Sequence, residues 1–147
     1  KKRMPYALDK YGTLDASANE HVNRCYLGLY GQAFEHQLQP VIEMRYRRIT
    51  LVAREGGERM TIDAELSFRA GEHCRHAADD VLVIETKSAN GNGLADKVLR
   101  ALHQHPTNGC SKYCVGMAAL QAVQRHNKFL PALRKLDVLP AGARSTT

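Results

Sequence analysis

Glu85 and Lys87 stand two residues apart at the end of an apolar run, "VLVIETK", where a buried strand is still expected to be running. Successive strand side chains point to opposite faces, so an acid and a base at that spacing share one face. Residues 58–69, "ERMTIDAELSFR", alternate cleanly. Arg59, Thr61, Asp63 and Glu65 fall on one face; Met60, Ile62, Ala64 and Leu66 fall on the other and suit packing on helices. In residues 41–54, Tyr46 and Arg48 share a face with Thr50, while the opposite side mixes Glu43, Arg45 and Arg47 with Ile49 and Leu51. Three neighbouring strands of this kind present Tyr46, Arg48, Arg59, Asp63, Glu85 and Lys87 together. One reading is the wet face of an antiparallel sheet, with cross-strand ion pairs contributing about 0.2–1 kcal/mol each. The other is a concave charged surface for a polyanion. Unpaired charges are costly to bury, and ligand charge and water complete the pairing there.

The elements that must position these groups are a long strand at 41–54, a turn at "EGG" (55–57), a return strand at 58–69 and a strand at 81–88. "AGEHCRHAADD" (70–80) reads as a polar loop. Before the strands, "SANE" (17–20) is a capping box in which Ser17 caps and Glu20 reaches back. Apolar spacing then predicts a helix over 16–36. After the strands, Leu94–His103 predicts an amphipathic helix. Residues 112–130 predict another, with Pro131 breaking or restarting it. The chain of 147 residues suits one domain over 1–137, followed by a flexible tail at 138–147.

Net charge is +6, with a sequence pI near 9.3, which favours anionic partners. Aromatic residues make up 6 % and Trp is absent, so no stacking array interleaves with the basic groups and nucleic acid is not the expected partner. The apolar runs are too short to span a bilayer, and "KKRMPYALDKYG" lacks the apolar stretch of a secretory signal. A soluble, cytoplasmic protein is expected. Cys25, Cys74, Cys110 and Cys114 are expected to be reduced. Cys110 and Cys114 could join His73, His76, His103 or His105 around zinc, but CxxC spacing is missing, and incidental buried thiols are the better reading.

The ordered set "YRRITLV", "ERMTIDAEL", "VIETK" and "SKYCVG" resembles the VTC domain, the polyphosphate polymerase domain of the triphosphate tunnel group, over residues 1 to roughly 125. The resemblance implies an α+β fold: an antiparallel β-sheet forming part of a triphosphate-tunnel barrel, with helices packed outside. It implies that Arg48 and Arg59 grip phosphate, Glu85 holds Mn²⁺ or Mg²⁺, and Lys87 supplies a base beside it. Tyr46 accompanies Arg48, Ser111 and Lys112 form the "SK" pair near the phosphate end, and Lys1 and Arg3 resemble a K-x-R from an earlier tunnel strand. Asp63 would orient Arg59 or assist the metal. The implied reaction moves the terminal phosphoryl of ATP onto a growing polyphosphate chain. A triphosphate hydrolase of the same group and a non-catalytic polyphosphate- or nucleotide-binding module are the alternatives. A generic basic domain would instead splay its cations on a convex surface. The family also implies a membrane-protein partner and a place at the cytoplasmic face of a membrane.

A closed tunnel takes about eight strands. Three clear strands, with short pieces at 1–8 and 111–115, predict a partial, open sheet that lacks the family's N-terminal half. Its unpaired edges would invite pairing with another chain and hence oligomers.

Overall fold

The structure, a computed structural model, describes residues 2–10, 12–107 and 110–139. It divides into two compact units, the first ending at Glu43 and the second beginning at Met44.

In the first unit, residues 2–7 form no strand, and a 3-10 turn follows at Leu8–Lys10. Helix α1 spans Ala16–Tyr30. Its cap is Asp15, not Ser17: the Asp15 carboxylate accepts from the Ala18 amide at 3.0 Å, and the Ser17 hydroxyl donates to the same side chain. Lys10 pairs with Asp15 and holds its carboxyl well below the usual range. The helix stops six residues before the expected end because Gly31 adopts φ +72° and closes a left-handed cap onto the Leu27 carbonyl.

The second unit is built on a four-stranded sheet. Strand β1 (Glu43–Val52) and strand β2 (Arg59–Ala70) are neighbours. The tight connection between them passes through Gly56 and Gly57, both at positive φ, and makes the pair antiparallel. The segment expected as a polar loop after β2 contains strand β3 (His73–His76), joined by a two-residue turn with Gly71 at φ +55°. Strand β3 pairs antiparallel with the second half of β2, from Ser67↔His76 to Ala70↔His73. Strand β4 (Val83–Lys87) pairs antiparallel with the first half, from Arg59↔Lys87 to Asp63↔Val83. The sheet does not close on itself among the described residues.

Helix α2 (Leu94–Ala101) starts at Gly93, where the Asp96 carboxylate accepts from the Thr86 and Ser88 hydroxyls and from the Gly93 amide. The single helix expected over 112–130 is two. Helix α3 (Lys112–Ala119) ends before Gln121, which sits at φ +57°. A 3-10 turn at Asn127–Phe129 then leads into α4 (Leu130–Lys135), which Pro131 restarts from its first turn. The core is formed where β2, α3 and the chain around α4 come together: Leu66 and Phe68 of β2, Val115, Ala118 and Ala119 of α3, and Ala132, Leu133, Leu136 and Val138 are all buried. Burial of a side chain such as Phe68 or Leu133 stabilises by about 1.5–3 kcal/mol.

The face assignment of β2 differs from the sequence expectation, and one residue is responsible. Glu65 has φ +54° inside the strand, which breaks the period-two alternation as a bulge does. Buried positions run Thr61, Asp63, then Leu66, Phe68. The face carrying Arg59 and Asp63 therefore continues into the apolar core, and α3 packs on it. Glu65 leaves that face and pairs at 3.1 Å with Arg47, whose neighbour Arg48 points the other way to Asp63. Of Met60, Ile62, Ala64 and Leu66, expected together to pack on helices, only Leu66 is buried; the other three are half-buried, and Ile49, Leu51 and Ile84 are exposed.

Candidate functional site

The site forms where the charged half of β2 meets β1, β4 and the start of α3. At its base is Asp63, 1 % exposed. Arg48 reaches it from β1 as a fork, with Nε donating to Oδ1 at 2.6 Å and Nη2 donating to Oδ2 at 2.8 Å. Lys112, at the first position of α3, donates from Nζ to Oδ2 at 2.7 Å. A buried carboxylate is tolerated when it is paired and its lone pairs are filled, and Asp63 meets both conditions. The Arg48 fork, followed by the Lys112 ammonium, holds its carboxyl below the usual range although burial pulls the other way. Asp63 in turn raises the guanidinium of Arg48 above its ordinary value. The sequence reading gave Asp63 to Arg59 or to a metal. The structure gives it to Arg48 and Lys112, because the β1 strand and the α3 start both lean over it.

Tyr46 completes this cluster. Its ring centroid lies 4.9 Å from the Arg48 guanidinium carbon and 5.7 Å from the Lys112 ammonium, both cation–π distances. Two residues apart on β1, Tyr46 and Arg48 share the face that the alternation predicts.

Beyond this base the charges are looser. Glu85 and Lys87 on β4 pair at 3.0 Å, with half of each side chain exposed. Lys87 is the main cause holding the Glu85 carboxyl below its ordinary value, and Lys112 and Arg48 act in the same direction. Arg59 is the register partner of Lys87 across β2 and β4. Like charges directly opposite are destabilising in a sheet, and the Arg59 side chain makes no ion pair or hydrogen bond among the described residues. Four cations, Arg48, Arg59, Lys87 and Lys112, thus share a region with two carboxylates, Asp63 and Glu85. The surplus positive charge is suited to an anion with several oxygens.

The structure places the other expected residues as follows. Ser111 is the N-cap of α3, its hydroxyl accepting from the Cys114 amide at 3.5 Å. Arg3 is exposed in the first unit, and Lys1 lies outside the described residues. Thr61, a residue the sequence reading used only as part of an alternating face, belongs to the site. It is the register partner of Glu85, and its hydroxyl is buried with no hydrogen bond, a state that costs about 1–3 kcal/mol. Its chemical type in an alternating strand carried no signal of that.

As a metal site, the cluster fits one mode. Among the described residues no three His, Cys, Asp or Glu side chains converge, and both Asp63 oxygens already accept from cations. Glu85, half exposed and held by Lys87, is the acid of the cluster that a divalent cation would have to use, and it is a single carboxylate. The four cysteines carry no disulfide.

No curated protein and no solved structure gave a match to this chain. The family model described as the VTC domain matches residues 1–121, which include all four strands and the whole of α3, and the chain belongs to that family.

Proposed function

We propose that this chain binds the phosphates of ATP and polyphosphate on the Arg48–Arg59–Lys87–Lys112 face and takes part in transferring the terminal phosphoryl of ATP to a growing polyphosphate chain. The observation that carries this reading is Arg59, which makes no ion pair among the described residues, set directly opposite Lys87. Like charges directly opposite destabilise a sheet, and an anion held between them offsets this. The VTC family supports the polyphosphate substrate class.

In this reading the terminal phosphate oxygen of the acceptor chain attacks the γ-phosphorus of ATP, the bond from that phosphorus to the bridging β-phosphate oxygen breaks, and ADP leaves. Such a transfer needs positioning and charge stabilisation more than covalent help. Arg48 and Lys112, fixed by Asp63 and Tyr46, hold oxygens in place; Arg59 and Lys87 neutralise charge that spreads over the transferring group. Glu85 would hold Mn²⁺ or Mg²⁺, which would supply positive charge to offset that of the phosphates. Further strands along the free edge of β1 would complete a tunnel around the chain. ATP as donor puts the reaction in the cytoplasm. No helix among the described residues is long and apolar enough to cross a membrane; a place at the cytoplasmic face of one, beside a membrane-protein partner, is part of this reading.

The test is incubation of the purified protein with ATP and Mn²⁺, followed by gel staining for long-chain polyphosphate. Chain growth that is lost in Arg59→Ala and in Glu85→Ala supports the polymerase reading. Phosphate release without chain growth replaces it with a hydrolase, and binding of polyphosphate without turnover replaces it with a binding module.

A further inference from the structure

Among the described residues, the Thr61 hydroxyl is buried without a hydrogen-bond partner on the face that carries Asp63 and Glu85. Thr61 and Glu85 are register partners. Their side chains stand side by side on that face with Cβ atoms about 4.5–5.5 Å apart, so a turn of the Glu85 side chain brings its carboxylate to the hydroxyl. In the structure that carboxylate is drawn away, with Oε1 held by Lys87 Nζ at 3.0 Å. Lys87 is also the group an anion between β2 and β4 would engage, since Arg59 stands opposite it.

We infer that Thr61 is a positioning residue for Glu85: when a polyanion takes Lys87, the Glu85 carboxylate turns inward and accepts from the Thr61 hydroxyl. The inference rests on the polyanion-binding reading above. A hydroxyl donating to an ionised carboxylate is a strong kind of hydrogen bond, and it would satisfy the buried group only in the liganded state. The free protein keeps Glu85 paired with Lys87; the bound protein keeps it paired with Thr61. The acid is thereby never left to swing freely beside the phosphates it would otherwise repel.

Calorimetric titration with inorganic tripolyphosphate, free of divalent metal, tests this on wild type, Thr61→Val, Thr61→Ser, Glu85→Ala and the Thr61→Val/Glu85→Ala double variant. Valine keeps the shape and removes the hydroxyl. The expected result is a Kd about fivefold weaker for Thr61→Val, wild-type affinity for Thr61→Ser, and no further loss when Thr61→Val is added to Glu85→Ala. The thermal midpoint of ligand-free Thr61→Val should equal or exceed wild type, because an unsatisfied hydroxyl is gone. Unchanged affinity in Thr61→Val, the same fivefold loss in both backgrounds, or a lowered midpoint of the free protein would each overturn the inference. If wild type does not bind tripolyphosphate at all, the polyanion reading fails and takes the inference with it.

Discussion

Asp63 and Glu85 lie on one face of one sheet, on adjacent strands, and their surroundings make them different acids. Asp63 is enclosed and touches two cations with both oxygens. Glu85 is half exposed and leans on a single lysine. The cations divide in the same way: Arg48 and Lys112 are committed to Asp63, whereas Lys87 is loosely held and Arg59 has no ion pair among the described residues. The first group is anchored and the second is open, although sequence alternation treats the five of them that lie on strands as equivalent. Depth decides the difference, because a charge under α3 has no water to fall back on and must have partners, while a charge at the open end can wait for a ligand.

The contrast is broken most directly at Asp63. Asp63→Ala leaves Lys112 and Arg48 facing each other over an apolar hole, and should cost on the order of 3 kcal/mol, read as a fall in the denaturant midpoint at unchanged slope. The matching change on the other side, Glu85→Ala, should alter that midpoint by about 0.5 kcal/mol or less. Acid sharpens the same point. The Asp63 carboxyl is depressed by folding, so its contribution is complete above the unfolded value near pH 4 and is lost as pH falls through the lower folded value. Wild type should lose stability in that window, and Asp63→Asn should show a flatter profile there.

Arg59→Ala comes next in size. It should weaken tripolyphosphate binding by about tenfold, as loss of a charge-assisted contact does, and should leave the folded state no less stable, since a like-charge neighbour of Lys87 is removed. A drop in stability with unchanged binding would move Arg59 into the anchored group and end the division. The smallest effect is expected at Glu65. Glu65→Gly relieves a left-handed backbone at the expense of a surface ion pair with Arg47, and a gain of about 0.5 kcal/mol is expected from thermal unfolding.

Much of this was legible from residue types. The period-two pattern of residues 58–64 gives the β2 face that carries Arg59, Thr61 and Asp63, and the "VIETK" run gives β4 with its acid and base on one side. The pairing of Asp63 with Lys112 was not legible, because it depends on where a helix from a distant part of the chain is laid down. The packing side of β2 was misread for a local reason. Nothing in a glutamate announces φ +54°, and without that break Leu66 counts with Met60 and Ile62 rather than with Asp63. Strand β3 was hidden in a polar stretch, because an edge strand of four mostly exposed residues has no apolar alternation to show.

The kink at Glu65 has a consequence for how this strand can change. Upstream of it the inward positions are ionic; downstream they are hydrocarbon, and the half-step between them uncouples the two stretches. Loss of that one residue would leave a single position between Asp63 and Leu66, and ordinary alternation would keep both on the inward face. The ion pair with Arg47 would go with it, while the ionic and hydrocarbon stretches would keep their common side. The strand can therefore lose its irregularity without turning the anion cradle away from α3.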